Sequence, residues 1–285
     1  MLMLVVMAFI LSPTDAALGQ AVVQSPKVPK KMREAINVES GLNDGLVLPP
    51  ILICLAILSG EGQSIEGSAI LVYVLKQVLL APIVGGLIGW LGSKIVNWSV
   101  RYKFSDHLFQ GITVFSLSII SFVVAEHIGG NGYIAAFVSG LYFNADSKQV
   151  LSTGQEFGEF LSQPLALFVF FCLGAAILPH YLEFVNGTVV LYAVLSLTVI
   201  RIIPVIISLS RDEMSLKEKV FIGWFGPRGI ASLLYFLLAF NMLNQNEKYA
   251  VVYSTIIFTV TLSIFLHGMS AVPYSNWLSK KRGST

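Results

Sequence analysis

The segment VESGLNDG, residues 38–45, sets two carboxylates (Glu39 and Asp44), an amide (Asn43) and a hydroxyl (Ser40) at the head of LVLPPILICLAIL, a run without charge. On a helix, Ser40 and Asp44 are four residues apart and share a face, while Glu39 and Asn43 share the adjacent one. The Ser40/Asp44 face offers hard oxygen ligands to a small cation. The Glu39/Asn43 face suits a cationic side chain and a structural hydrogen bond. Gly41 and Gly45 let another backbone approach closely. A solvated helix start capped by acids is the plainer reading. Against it, Lys30, Lys31 and Arg33 already mark the aqueous edge, one to two turns earlier. Thr14-Asp15, in SPTD, adds a hydroxyl, a carboxylate and the carbonyls freed where Pro13 breaks the helix. The same pair also suits an N-cap.

Two buried cations complete the inventory. Arg201, in LSLTVIRIIPVIISL, has apolar neighbours for more than a turn on both sides. It is too deep to reach the cytoplasmic edge by snorkelling and must find an acid, for which Glu39 is the expected partner. Arg228 lies in GWFGPRGIASLLYF, where Gly226, Pro227 and Gly229 interrupt a second apolar span. Interrupted spans near each end of a chain point to an inverted-repeat transporter.

The elements that must position these groups are membrane spans. Hydrophobic residues make up 55% of the 285 and charged residues 12%, about half the charge of an average soluble domain. Mean hydropathy is +0.76. A net charge of +2 is too small to suggest a nucleic-acid partner. Cys54 and Cys172 fall inside apolar runs and read as small buried hydrophobes. Nine spans are expected, over 1–25, 34–59, 68–92, 106–126, 130–144, 157–178, 187–209, 216–240 and 249–268, the fifth being short with Asn131 and Asn144 at its edges. The first could be taken for a leader with small residues at Ala16-Ala17, but it lacks a basic start. We read it as a span broken at Ser12–Asp15.

Charge in the loops sets the orientation. Alternate connections and the tail hold 14 basic residues: Lys27, Lys30, Lys31, Arg33, Lys94, Arg101, Lys103, Lys148, Arg211, Lys217, Lys219, Lys280, Lys281 and Arg282. The intervening loops hold only Lys248. Basic residues gather on the cytoplasmic side, so the C-terminus is expected inside and, with nine spans, the N-terminus outside. Lys76 is expected to snorkel or to pair with a helix end. His107, His127, His180 and His267 are all expected at span ends, as interfacial residues.

SPTD, VESGLNDG, Arg201 and GPRG, in that order, resemble a sodium/proton antiporter of the monovalent cation:proton antiporter-1 family, within the sodium/hydrogen exchanger superfamily. The resemblance covers nearly the whole chain and implies an all-α polytopic membrane fold built on an inverted repeat. Residues 1–285 would form one transmembrane antiporter domain, with the ion-site helices of the first repeat in 1–59 and the closing helices of the second in 187–268. Family members usually have about thirteen helices, and this chain resembles the last nine.

The resemblance further implies that Asp44 binds the proton and the cation, with Asp15, Ser40, Thr14 and Asn43 around it, Na+ being held at Asp44, Asp15, Ser40 and Thr14. Glu39 and Arg201 would form a structural ion pair, and Arg228 would stand near the second crossing helix. No cofactor is implied, only transported Na+ (or Li+ or K+) and H+. A bilayer partner, a homodimer and a bacterial inner membrane follow from the same source.

A carboxyl taken out of water favours its neutral form, whereas a bound cation favours the ionised one; the two cargoes would then compete for Asp44. With Asn43, rather than a second acid, before Asp44, the resemblance implies one-for-one, electroneutral exchange. Two rivals stand beside antiport. Asp15 and Asp44 on consecutive spans suit an intramembrane aspartyl protease, although the sequence reads Gly-Leu-Asn-Asp where such enzymes have Gly-x-Gly-Asp. A non-transporting membrane subunit or truncated paralogue is the other.

Overall fold

In a computed structural model, residues 1–15, 18–59, 67–104, 106–143, 148–244 and 246–282 are described, and all their regular structure is helical. Ala16-Ala17, most of the connection at 60–67 and the expected span edge at Asn144 lie outside these residues. The chain forms two compact units: Met1–Asn43, Pro50–Gln63 and Phe168–Thr285 in one, Asp44–Pro49 and Ser64–Leu167 in the other.

The first unit opens with α1 (Leu2–Ile10) and, after a break, α2 (Gln20–Val23). Pro13 has no N–H to offer a helix. Leu11 and Ser12 close the last turn of α1 on Met7 and Phe9, and the chain then runs without regular structure through Asp15. The long helix α3 (Lys30–Ser59) carries VESGLNDG, and the division between units passes through it after Asn43.

The second unit adds α4 (Gly67–Arg101), α5 (His107–His127) and α6 (Gly132–Tyr142), with most of α7 (Lys148–Cys172). Here Gly85 and Gly89 on α4 face the carbonyl oxygens of Ala135 and Ser139 on α6, where any Cβ would collide. The two helices therefore pack backbone to backbone, as small residues permit in membranes. Asn131, fully buried, caps α6 through Oδ1 and donates Nδ2 to the Gly45 carbonyl at 2.9 Å. Lys76 is exposed, its Nζ lying 4.0 Å from where a Cβ on Gly129 would stand, just past the C-terminus of α5.

The rest belongs to the first unit. A π-helical turn (Leu173–Ile177) leads into α8 (Leu178–Leu182), and α9 (Gly187–Leu197) and α10 (Val199–Ser208) meet at Thr198. The helix α11 (Leu216–Trp224) starts with a capping box between Ser215 and Glu218. Residues 225–229 are non-helical, and α12 (Ile230–Met242) and α13 (Ala250–Arg282) close the unit. Val22, Met32, Ile36, Phe221 and Phe225 share one core cluster. At its polar edge, Lys31 Nζ donates to Asp212 Oδ1 at 2.8 Å.

Six helical segments are long and apolar enough to cross a bilayer: Lys30–Ser59, Leu79–Arg101, Leu108–His127, Ser152–Leu182, Gly187–Ser208 and Glu247–Trp277. Side chains such as Leu167 (70% exposed), Phe171 (70%) and Ile207 (65%) suit lipid. The chain is a multi-pass integral membrane protein. The expected nine spans are thus six among the described residues. The other three, at 1–25, 130–144 and 216–240, are not continuous helices of spanning length, because Pro13 and Gly226–Gly229 break two of them and α6 has only 11 residues. One further expectation is corrected. His267 is 2% exposed and lies mid-helix, because α13 continues through Pro273 instead of ending near residue 268.

Candidate functional site at two helix breaks

Breaking a helix inside a bilayer frees backbone groups that water cannot satisfy, so they must be met by protein. The two breaks of the first unit meet each other. Asp15 donates its backbone N–H to the Pro227 carbonyl at 2.8 Å. Its carboxylate accepts in return, Oδ2 from the N–H of Ile230 at 2.8 Å and Oδ1 from the N–H of Leu18 at 3.3 Å. The N-cap of α12 is Gly229, which has no side chain to do this work. An acid at a helix N-terminus also opposes the positive end of the helix dipole.

The glycines of GPRG make room for this meeting. A Cβ on Gly229 would run into the Asp15 carboxylate, and one on Gly226 would stand 2.5 Å from both Nε and Nη2 of Arg201. Neither position tolerates a side chain without displacing a charge. Arg228, 5% exposed, turns its Nη1 back onto the Gly226 carbonyl at 3.0 Å, and its backbone N–H is accepted by Ser263 Oγ at 2.7 Å.

On α3, Ser40 is buried and donates Oγ to the Thr14 carbonyl at 2.6 Å, so one carbonyl freed by the first break is satisfied from the neighbouring helix. Thr14 is 2% exposed, and its Oγ1 has no hydrogen-bond partner among the described residues. Next to Ser40 in the chain, Glu39 receives both guanidinium nitrogens of Arg201: Nη2 to Oε2 at 2.7 Å and Nη1 to Oε1. The fork-to-fork geometry fixes orientation as well as charge. Asn43 Nδ2 reaches Glu39 Oε1 only at 3.5 Å, a weak supporting contact. Asp44 follows on the same helix, half-buried, and is grouped with the second unit.

The first unit therefore brings together Thr14, Asp15, Ser40, Glu39, Arg201 and Arg228. Asp15 serves there as the cap of α12, a helix 215 residues away, while α2 takes Gly19 as its N-cap and has no side-chain cap. Three contributors were not expected from sequence: the Pro227 carbonyl, Ser263 and His267. The last two are four apart on α13, the spacing that would have paired them had that helix been drawn at full length. Among the described residues no group of three or more His, Cys, Asp or Glu side chains is placed to hold a metal ion.

A helical membrane fold with two discontinuous helices joined at their breaks defines a transporter architecture. The chain belongs to the sodium/hydrogen exchanger transmembrane family, whose model matches residues 1–277. Members of that family are transporters, not enzymes. It is 26% identical over 297 residues to Na(+)/H(+) antiporter 2 of Zygosaccharomyces rouxii, covering 91% of this chain and 36% of that protein. It is also 26% identical over 276 residues to the K(+)/H(+) antiporter NhaP of Alkalimonas amylolytica, covering 94% of this chain and 46% of that protein. The chain thus spans less than half the length of either relative. The sodium proton antiporter MjNhaP1 from Methanocaldococcus jannaschii shares the fold, with a TM-score of 0.76 at 22% identity, over 97% of this chain and 70% of that one.

Proposed function

We propose that the chain exchanges a monovalent cation for a proton across the membrane, with Na+ as the first candidate and Li+ or K+ after it, through Asp44. The observation that carries this is the meeting of the two breaks, Asp15 N–H to Pro227 and Ile230 N–H to Asp15, beside the Glu39–Arg201 pair. Such a junction holds irregular backbone at membrane depth, which is tolerated where it lines a cavity or is buried in protein. Glu39 is neutralised by Arg201 and Asp15 is engaged by two backbone donors. Asp44 is the acid of VESGLNDG that the family resemblance assigns to the cargo, with Thr14, Asp15, Ser40 and Asn43 kept as its expected company.

In this reading the loaded site crosses the membrane as a neutral or cation-paired carboxyl, and an empty, charged one does not. Asn43 beside Asp44 leaves one acid to discharge, hence one proton per cation. The interrupted pairs α1/α2 and α11/α12 each count as one crossing, as does the short α6. With the N-terminus outside, the basic loops then face the cytoplasm, consistent with a bacterial inner membrane.

The test is proton flux in proteoliposomes driven by outward Na+, Li+ or K+ gradients. Asp44→Asn is expected to abolish cation-dependent flux, and flux that survives the substitution removes Asp44 from the role. Wild-type flux independent of an imposed membrane potential supports one-for-one exchange, and acceleration by that potential overturns it.

A further inference from the structure

The buried histidine of α13 is unused by the exchange reading, and its surroundings assign it a task. His267 Nδ1 lies 3.0 Å from Ser263 Oγ and 2.8 Å from the Ser263 carbonyl oxygen. Ser263 Oγ in turn accepts the backbone N–H of Arg228 at 2.7 Å. The ring is clamped by the end of α11: Trp224 stands 5.1 Å and Phe225 6.4 Å from it, centroid to centroid. Trp224 is itself tied to α13 by Nε1 donating to Ser270 Oγ at 2.8 Å. The residues just before the second break therefore hold the imidazole, and the imidazole faces the residue inside the break.

We propose that His267 is a positioning residue for the second break. Its Nδ1–H, donated to the Ser263 carbonyl at 2.8 Å and shared with Ser263 Oγ at 3.0 Å, occupies one lone pair of that hydroxyl oxygen and leaves the other for the amide of Arg228. A serine hydroxyl has one hydrogen and two lone pairs and rotates freely. Left alone on a helix, it donates to the carbonyl four residues back, as Thr259 does to Thr255. A donor at His267 holds the hydroxyl oxygen in place as an acceptor, and linked hydrogen bonds strengthen one another in a dry site. The Arg228 amide is one of the donors that breaking the helix leaves without an intrahelical partner, and a buried donor left unmet costs about 1–3 kcal/mol. The charged groups nearest this chain are Arg228 and Arg201, the latter neutralised by Glu39; Trp224 and Phe225 bring no charge. Through the Arg228 amide, His267 fixes the segment that receives Asp15 at Pro227 and Ile230. In transport terms the proposal rests on the exchange reading above.

The full chain is purified as wild type, Ser263→Ala, His267→Leu and His267→Asn, the last because asparagine can place a polar atom near the position of Nδ1. Amide hydrogen exchange of the peptide spanning residues 225–232 is followed beside cation-driven proton flux. Ser263→Ala and His267→Leu are expected to speed exchange in that peptide by about five- to tenfold, the worth of one buried hydrogen bond. Peptides of α5 and α6 should be unchanged, and His267→Asn should restore wild-type protection. The same two variants should raise the KM for the cation more than they lower kcat. Unchanged protection in both overturns the proposal, as does a His267→Asn that behaves like His267→Leu. Should wild type carry no flux with any cation, the exchange reading fails while hydrogen exchange still decides the role of His267.

Discussion

Asp15 and Ile230 are joined by a hydrogen bond of 2.8 Å from the Ile230 N–H to Asp15 Oδ2 across 215 residues of chain, so an acid in one helix break completes the helix that leaves the other. With the reciprocal bond from the Asp15 N–H to Pro227, the two breaks form one structural object. Its stability depends on small residues on one side and charge on the other.

The glycines are the sharpest test of that object. A Cβ at Gly229 meets the oxygen, Cγ and Cβ of Asp15, a short side chain with little room to yield, whereas one at Gly226 meets the long guanidinium end of Arg201. Gly229→Ala is expected to cost about 1–3 kcal/mol, the range for overpacking, and Gly226→Ala less. Gly187→Ala, whose Cβ meets nothing within 4 Å, serves as the control. Unfolding in detergent with equal midpoints for all three would show that the breaks do not meet this closely.

The Glu39–Arg201 pair should behave as one unit. Its side chains are 26% and 11% exposed, so removing either partner strands the other in a largely dry place. Such stranding costs about 3–5 kcal/mol when burial is complete, and the lower end is expected for Glu39→Ala or Arg201→Ala. The double variant should recover part of the loss. A double variant whose cost equals the sum of the singles would show that the two do not interact.

At the aqueous edge, the Lys31 ammonium hydrogen-bonded to Asp212 holds that carboxyl below its ordinary value of 3.8. A lowered carboxyl value in the folded state adds stability that is complete above the unfolded value and disappears as pH falls through the folded one. Asp212→Asn should therefore lower the unfolding temperature slightly at pH 7, by an amount that shrinks below about pH 4. Because this pair is exposed, high salt should shrink it too. A difference independent of both pH and salt would assign the effect to the loop and not to the charge.

What could be read from the residues, and what could not, follows from distance in the chain. Pro13 and Gly226–Gly229 announce their breaks locally, because a missing donor or side chain acts on its own backbone. Arg201 announces a partner, since a charge in an apolar span must be neutralised and Glu39 is one of few acids at comparable depth. The capping of Ile230 by Asp15 has no local signature; each residue looks complete within its own neighbourhood. The depth of His267 is hidden for a similar reason. Polar Ser270, Ser275 and Asn276 after His267 resemble the end of a span, yet Ser275 turns its hydroxyl onto the Ala271 carbonyl and the helix runs on. The count of nine spans failed as a count of continuous helices, because hydropathy sums over a broken segment as readily as over an intact one.

The long reach of Asp15 also bears on how the molecule is made. Chains leave the ribosome at about 5–20 residues per second. With 215 residues separating Asp15 from Ile230, roughly 10–40 seconds pass between the synthesis of the two. During that interval the acid has no helix to cap. Of the two backbone donors its carboxylate ends with, only the N–H of Leu18 is then on hand. The junction of the breaks is therefore a late event in biogenesis, and early insertion intermediates would carry an acid whose permanent partner has yet to be synthesised.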